Sequence, residues 1–350
     1  MTTNITLGDR KIGQNEEPFI IAEMSGNHNG SLERAKQMVK AAAETGVDCL
    51  KFQTFTADTL TLNSRASDFV INDEKSLWNG RQLYELYKEA HTPWDWHAEL
   101  FEAASKLGVM SFSTPFDETA VSFLNDLGVP MFKIASFEIT HLPLIRKVAQ
   151  TGKPIIMSTG LASIEEIAKA IETARAEGND QIVILKCTSA YPANAADANL
   201  ATIPDMRERF GVQVGLSDHT LGAGVAVASI VLGSTVVEKH FTLDRSEGGV
   251  DADFSLEPWE MKLLKEETTR AWHALGEVKY DGTANETKSL QFRQSIWPNR
   301  DIAEGENLTK DNLKICRPGL SLDPKYYKSL LSQTAKRPIK MGERIKLNDL

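Results

Sequence analysis

The chain has 350 residues, 41 % of them hydrophobic and 25 % charged, with a formal net charge of −9. This composition is typical of a soluble globular protein, and the length allows one large domain with a small one, or two of medium size. The acidic charge disfavours nucleic acid as the main partner, and no apolar run reaches the roughly 18 residues that a membrane helix needs. Three well-separated cysteines and an N-terminal stretch without an apolar run lead us to expect a cytoplasmic protein without disulfides.

The first 275 residues alternate short apolar runs with amphipathic stretches, and each run ends in polar side chains. Such runs are typical of buried parallel strands, and eight strand–helix units predict an α/β protein with a (β/α)8 TIM barrel. A doubly wound sheet is the alternative, but neither of the glycine-rich phosphate motifs GxGxxG and GxxxxGK[ST] is present. The runs are Pro18–Ser25, Asp48–Phe55, Val109–Phe116, Met131–Glu138, Lys153–Gly160, Gln181–Ala190, Gln213–Thr220 and Ser234–Thr242.

Between the runs, Leu32–Glu44 and Glu165–Glu177 have the pattern of amphipathic helices. Ser163 and Glu166 have the spacing of a capping box, which predicts a helix start at this point. The segment Thr56–His91 is too long for a single strand-to-helix loop. We therefore expect an insert that covers the mouth of the barrel.

The alternation of apolar runs and amphipathic stretches ends near Gly276–Thr287. From Ser289 to the end, 12 Lys and Arg stand against 7 Asp and Glu, opposite to the balance of the rest. We predict a barrel domain over residues 1–276, a linker over 277–288 and a small, irregular or β-rich module over 289–350. Such a module is small for independent stability, so we expect it to dock on the barrel or on a second chain.

Two histidines end the last two predicted strands, His219 and His240. Neighbouring strands lie about 4.8 Å apart, so these imidazoles could share one divalent metal and leave positions for water and substrate. Closure of the barrel brings the first strand beside the last, so Glu23 could reach the same place. This donor set favours octahedral Mn²⁺, Mg²⁺ or Co²⁺ over a closed zinc site. The alternative is two histidines that only form hydrogen bonds within the barrel.

Cationic and hydroxyl side chains also collect at the strand ends. Three of the predicted strands carry Lys51, Lys133 and Lys186, which suits a substrate with phosphate and carboxylate groups. The alternative is that these lysines extend from the rim into solvent. The hydroxyl donors are Ser136, Ser158 and Ser217.

Eight segments, in the same order along the chain, resemble the N-acetylneuraminate synthase family. The tail, with SIWPNRDIAEGENLT and RPG, is similar to the antifreeze-like SAF domain of that family. Three further segments, among them IASFEITHLPLI, resemble the branch that makes pseudaminic acid. The eight segments are IAEMSGNHNGS, KFQTF, FSTPFD, KIASFEIT, STG, KCTSAYPA, GLSDHT and EKHFTLD.

The resemblance implies a TIM barrel followed by a SAF domain. It implies condensation of phosphoenolpyruvate with 2,4-diacetamido-2,4,6-trideoxy-L-altrose, giving a nine-carbon 2-keto acid and phosphate. Legionaminic acid and N-acetylneuraminate synthesis are the alternatives within the family. No nucleic acid or membrane partner is implied.

The resemblance also implies roles for individual residues. His219 and His240 match the ligands of a divalent metal, most often Mn²⁺, and Glu23 matches the acidic residue beside the metal-bound water. Arg317 matches a residue that the partner subunit's SAF domain places over the site, which implies a domain-swapped homodimer. The matches to phosphoenolpyruvate contacts are Lys51, Thr114, Lys133, Ser136, Ser158, Ser189, Tyr191 and Ser217. The matches on the sugar side are Asn27, Gln53, Asp251 and Phe292.

Two other classes of function remain open from the residues. A Schiff-base aldolase could use Lys133 or Lys186 as its amine. A sugar-binding or ice-binding protein with an inactive barrel would also fit the SAF-like tail.

Overall fold

The computed structural model describes residues 4–74 and 76–349, and the chain divides into two compact units, Met1–Gly276 and Glu277–Leu350. The first unit contains a closed barrel of eight parallel strands, which confirms the predicted TIM barrel over the doubly wound sheet. Each strand lies within the apolar run that predicted it. The barrel strands are β3 (Phe19–Glu23), β4 (Cys49–Thr54), β5 (Met110–Pro115), β6 (Phe132–Ile134), β7 (Ile155–Ser158), β8 (Ile182–Cys187), β9 (Gln213–Asp218) and β10 (Val236–His240).

Helices follow the strands and cover the barrel with their apolar faces. The first begins and ends at the predicted residues, Leu32 and Glu44. The helix that starts at Ile164 has the predicted capping box, in which Ser163 and Glu166 each accept a hydrogen bond from the other's backbone N–H. The helices of this unit are α1 (Leu32–Glu44), α2 (Ala57–Leu60), α3 (Leu83–Ala90), α4 (His97–Lys106), α5 (Glu118–Asp126), α6 (Leu142–Ala149), α7 (Ile164–Ala176), α8 (Thr202–Phe210), α9 (Gly224–Val231) and α10 (Pro258–Leu275).

The interior of the barrel is apolar toward the amino ends of the strands and polar toward their carboxyl ends. Because side chains alternate along a strand, the residue two positions after an inward-facing residue also faces inward. On the inward face, Glu23 is thus the next residue after Ile21 on β3, and Glu238 is the next after Val236 on β10. All of these residues are buried. The strand pattern therefore places charged groups at one end of the barrel interior.

A short hairpin that the sequence did not predict precedes the barrel. It consists of the antiparallel strands β1 (Ile5–Leu7) and β2 (Arg10–Ile12). Leu7 and Ile12 are buried against the inward-facing apolar residues of the barrel. Three-residue strands are too short to show an alternating pattern, so only the tertiary contacts reveal them. The hairpin closes the end of the barrel opposite to the polar side chains.

The second unit has a core of its own, built from short segments separated by turns. Strands β11 (Ser295–Pro298) and β12 (Leu313–Cys316) pair antiparallel, and two four-residue helices, α11 (Ala284–Thr287) and α12 (Tyr327–Leu330), accompany them. Ile296, Leu308 and Ile339 are among the residues of this core that are almost completely buried. Within the described residues of both units, no helix combines the length and apolar character needed to cross a membrane.

Candidate active site

The carboxyl ends of the barrel strands surround a cavity of about 460 Å³. Residues predicted as substrate contacts or metal ligands form much of its lining. Those that line it are Lys51, Gln53, Lys133, Ser136, Ser158, Ser189, Tyr191, Ser217, His219, His240 and Asp251.

Two lysines and two glutamates form a buried charge cluster at the floor of the cavity. The Lys51 Nζ to Glu23 Oε2 distance is 2.6 Å, and the Lys133 Nζ to Glu238 Oε1 distance is 3.3 Å. Lys51 also lies 3.7 Å from Glu238 and donates to Thr114 Oγ1 at 3.2 Å. None of the four charged residues is more than 4 % exposed. Buried lysines of this kind can hold an anion once it displaces part of their carboxylate pairing.

Hydroxyl groups surround this charge cluster. Ser217 donates to Glu238 Oε1 at 3.3 Å, and Ser136 Oγ accepts from the backbone N–H of Gly160 at 3.1 Å. Ser158 Oγ is buried and has no hydrogen-bond partner among the described residues. An unpartnered buried hydroxyl at a cavity wall is unusual in a protein and suits a ligand oxygen.

The electrostatics of the cluster separate the two glutamates. Burial raises the pKa of Glu23 to about 7, although Lys51 opposes this change. Burial alone would also raise the pKa of Glu238, but the nearby ammonium groups of Lys133 and Lys51 outweigh burial and lower it. Glu238 therefore stays ionised, while Glu23 can gain or lose a proton near neutral pH. Two carboxyl groups with pKa values pushed apart are a common arrangement for acid–base work.

His219 and His240 lie side by side, with 5.3 Å between their ring centroids. The Nδ1 atom of His219 is 2.9 Å from the Thr188 carbonyl oxygen, which orients that ring. The ring of His240 packs against Phe254, and its Nδ1 atom lies 4.0 Å from Asp251 Oδ2. That nitrogen is buried and has no hydrogen-bond partner in the part of the chain that the structure describes.

These two histidines fit a divalent cation that takes only part of its ligands from the protein. Burial lowers the pKa of His240 well below its usual value, so this ring stays neutral, the form that binds metal. The described residues contain no group of three or more His, Cys, Asp and Glu placed to hold a metal. With two nitrogens from the protein, such an ion would take its other ligands from water or substrate, which suits an octahedral ion better than a closed zinc site.

Glu23 and Thr114 lie beneath the lining rather than in it. Glu23 is fully buried, and its Oε1 atom accepts a hydrogen bond from Gln53 at 2.9 Å. The pairing of β3 with β10 sets Glu23 opposite His240, as the closure of the barrel predicted, and the Glu23 carboxyl group contacts Lys51 and Gln53.

The structure does not bring Asn27 or Lys186 to the cavity. Both donor hydrogens of Asn27 are used within the protein, on the Phe241 carbonyl and on Ser255 Oγ, each at 2.9 Å. Lys186 donates to the Cys187 carbonyl at 3.0 Å. Because side chains alternate along β8, Cys187 faces the cavity and Lys186 faces away from it.

Phe292 and Arg317 lie in the second unit, where both side chains are exposed.

The cavity also contains carboxylates that the sequence analysis did not select. Glu238 lies two positions before His240 on the same strand, so the alternation along β10 was a signal that it shares the histidine's face. Glu138 lines the wall, with one carboxyl oxygen buried and unpartnered among the described residues. Ser25 adopts a left-handed backbone conformation, with φ of 51°, and donates a hydrogen bond to Asp251.

Another part of the cavity wall is mostly apolar, and most of it comes from the segment between β4 and α4. This is the segment expected to form an insert over the mouth. Its Trp78 donates to the Val250 carbonyl at 2.9 Å and packs against Tyr191, with ring centroids 5.8 Å apart. The apolar residues of this wall are Phe55, Leu60, Ile71, Trp78, Leu83, Leu86, Tyr87, Phe116 and Val250.

The fold and the site together define a (β/α)8-barrel enzyme. Its cavity lies at the carboxyl ends of the strands and combines lysine ammonium groups with carboxyl groups suited to acid–base chemistry. The chain belongs to the NeuB family, whose model matches residues 38–280, and a SAF domain matches residues 293–350.

Relatives of known function are similar over nearly the whole chain. The pseudaminic acid synthase of Campylobacter jejuni is 44 % identical over 331 residues, covering 95 % of this chain and 96 % of the relative. The pseudaminic acid synthase of Helicobacter pylori is 42 % identical over 339 residues, covering 96 % and 98 %. Among solved structures, the sialic acid synthetase of Leptospira borgpetersenii is similar with a TM-score of 0.73 and 32 % identity, covering 84 % of this chain and 97 % of that one.

Proposed function

We propose that this protein is a cytoplasmic enzyme that condenses phosphoenolpyruvate with 2,4-diacetamido-2,4,6-trideoxy-L-altrose and water to give pseudaminic acid and phosphate. The observation that carries the proposal is a cavity with two kinds of wall. One part of the lining presents Lys51 and Lys133 beside the Ser158 hydroxyl, which has no hydrogen-bond partner among the described residues, and another part is mostly apolar. The similarity to two pseudaminic acid synthases above 40 % identity supports the same assignment.

The charged end suits phosphoenolpyruvate, which carries a phosphate and a carboxylate. Lys51 and Lys133 would pair with these groups, and their buried position makes each pairing stronger than it would be in water. Holding the anion at one end fixes its carbon 3 relative to the sugar, which is a gain from proximity and orientation. The hydroxyl donors would be Thr114, Ser136, Ser158, Ser189, Tyr191 and Ser217.

A divalent cation held by His219 and His240, with Mn²⁺ proposed and Mg²⁺ or Co²⁺ as alternatives, would supply Lewis-acid polarisation of the sugar aldehyde. Carbon 3 of phosphoenolpyruvate then forms a bond to the aldehyde carbon, which leaves positive charge at carbon 2. Water adds at carbon 2, and the bond from carbon 2 to the phosphate oxygen breaks, so that phosphate leaves with that oxygen. Lys51 would pass a proton to Glu23, whose pKa of about 7 lets it accept one, and would take the proton of this water in its place. The alkoxide left on the former aldehyde carbon would take up one proton in turn.

The apolar wall suits the sugar that we propose. This sugar carries a methyl group at carbon 6 and two acetamido methyl groups, which Leu83, Leu86 and Ile71 could cover. Each buried methyl or methylene group is worth about 0.8 kcal/mol, and one such group in a pocket discriminates by about 1–3 kcal/mol. N-acetylmannosamine has a hydroxymethyl group at carbon 6, so we expect weaker binding. A legionaminic acid precursor shares the methyl groups, so its exclusion would depend on stereochemistry.

We further propose a homodimer in which each SAF domain covers the partner's barrel. Arg317 and Phe292 are exposed on the second unit, as we would expect of residues that contact a substrate bound in the barrel of the partner chain. An arginine side chain suits the phosphate and carboxylate groups of the substrate.

Phosphate release with a panel of sugars tests the substrate. The purified protein would be given phosphoenolpyruvate and Mn²⁺ with the diacetamido altrose, the diacetamido mannose or N-acetylmannosamine. We expect kcat/KM for the altrose derivative to exceed the other two by about tenfold or more. A preference for either mannose derivative would assign the legionaminic or sialic alternative instead. No phosphate release with any sugar would favour a non-catalytic sugar-binding protein.

Removal of the cation tests the role of the two histidines. We expect His219→Ala and His240→Ala to abolish Mn²⁺ binding and phosphate release while circular dichroism shows an unchanged fold. Full activity in EDTA would contradict this role. Borohydride trapping with pyruvate covers the Schiff-base alternative, in which Lys133 or Lys186 would form a covalent adduct.

A further inference from the structure

A buried ion pair lies directly behind the two histidines. Asp218 and Lys239 precede His219 and His240 in the chain and face each other across the neighbouring strands β9 and β10. The Asp218 Oδ2 to Lys239 Nζ distance is 2.7 Å, and the two side chains are 2 % and 0 % exposed. Because side chains alternate along a strand, this pair points out of the barrel while the histidines point into the cavity.

The layer around the pair is largely apolar, and Glu260 is a further charged group that acts on Lys239. Leu216 and Val237, two positions earlier on the same faces of the two strands, pack in the apolar core between barrel and helices. Two charges buried in such a layer carry a desolvation cost, and an apolar pair of similar volume often gives equal or greater stability. The packing of the barrel therefore does not require an ion pair at this place.

The same pair also contacts Thr220, the residue that follows His219 in the chain. Asp218 Oδ1 accepts hydrogen bonds from the backbone N–H of Thr220 at 2.9 Å and from its hydroxyl at 2.8 Å. Lys239 donates to the Thr220 carbonyl oxygen. Asp218 and Thr220, on either side of His219, therefore both contact Lys239, which directly precedes His240. These contacts join the backbone on either side of one histidine to the strand that carries the other.

We propose that the Asp218–Lys239 pair is a positioning device that fixes the spacing of His219 and His240 for a shared divalent cation. The pair acts through the backbone, one residue away from each imidazole, and does not touch the cation or the substrate. The inference rests on the proposed metal role of the two histidines. Groups that orient the ligands of a metal typically change its affinity by about 10- to 100-fold when they are replaced.

The experiment measures Mn²⁺ binding to the full-length apoprotein by electron paramagnetic resonance of the free ion. The double variant Asp218→Asn with Lys239→Met leaves no unpaired buried charge, and the asparagine oxygen can still accept from Thr220. We expect the Kd for Mn²⁺ to rise about tenfold or more. The matched control is Lys265→Met, which breaks a 2.7 Å ion pair with Asp48 at the other end of the barrel and should leave the Kd unchanged.

A second variant keeps the test decisive if the double variant does not fold. Thr220→Val removes one hydroxyl contact with Asp218 at constant size, and we expect a rise in Kd of about threefold, the effect of one hydrogen bond. An unaltered Kd in the variants that fold, with normal binding by the natural protein, would overturn the positioning role alone. Absence of Mn²⁺ binding by the natural protein would overturn the metal assignment itself.

Discussion

Glu138 shows at the scale of one residue how burial controls a charge. Its side chain lines the cavity wall, and one carboxyl oxygen is buried without a hydrogen-bond partner among the described residues. Burial raises the pKa from 4.5 to about 7, although Lys133 opposes the change. The folded protein therefore holds this proton over a pH range in which the unfolded chain has released it.

This difference predicts a pH dependence of stability. Between about pH 4.5 and 7 the folded state binds more protons at Glu138 than the unfolded state, so the free energy of unfolding falls as pH rises. The stabilisation is complete below pH 4.5 and is lost above pH 7. We expect the decrease in the free energy of unfolding between pH 4.5 and 7 to be smaller in Glu138→Gln by up to about 3 kcal/mol, measured by urea unfolding at several pH values. Glu165→Gln, at an exposed position on α7, is the control, and equal slopes for both variants would contradict the prediction.

At the scale of single elements, the start of α7 depends on a local signal. The Ser163 hydroxyl and the Glu166 carboxylate satisfy two backbone donors that the first turn leaves free. We expect Ser163→Ala to lower the free energy of unfolding by about 1 kcal/mol, measured by urea denaturation. Ser163→Asn should retain most of the stability because asparagine also caps helices. A loss for the asparagine variant as large as for the alanine variant would contradict a capping role.

The insert is the element that we expect to select the sugar. Leu86 on α3 is 6 % exposed and contributes to the apolar wall, whereas Leu62 of the same insert is 66 % exposed. We expect Leu86→Ala to raise KM for the diacetamido sugar about tenfold, in line with about 1–3 kcal/mol for a lost apolar contact, with KM for phosphoenolpyruvate unchanged. Leu62→Ala should change neither constant. A parallel rise in both KM values for Leu86→Ala would indicate a general loss of structure instead.

At the scale of the whole molecule, the proposed domain swap makes each active site a product of two chains. His240→Ala removes a residue of the barrel, and Arg317→Ala removes a residue of the SAF domain. In a swapped heterodimer of these two variants, one site has both defects and the other has neither. We therefore expect the two inactive proteins, mixed and refolded together, to recover about a quarter of the natural activity. The same proteins mixed without refolding serve as the control, and no recovery after refolding would mean that each SAF domain serves its own chain.

The barrel and much of the cavity lining could be predicted from the sequence because the signals are local. Apolar runs bounded by glycine, proline and polar residues mark buried strands wherever they pack, and polar groups at their carboxyl ends mark the mouth. His219, Lys51 and Lys133 follow from this pattern and lie at the cavity. The hairpin at Ile5–Ile12 could not be predicted, because its strands are too short to show any period.

Only the tertiary structure decided which side chain of each pair of neighbours faces the cavity and which charges meet. The strand over Ile182–Cys187 is apolar on both faces, so its sequence does not reveal that Cys187 faces inward and Lys186 outward. The contact of Glu23 with Lys51, and that of Asp218 with Lys239, join residues on different strands. Such contacts depend on strand register and barrel closure, which are set by the packing of the whole unit rather than by any local stretch of sequence.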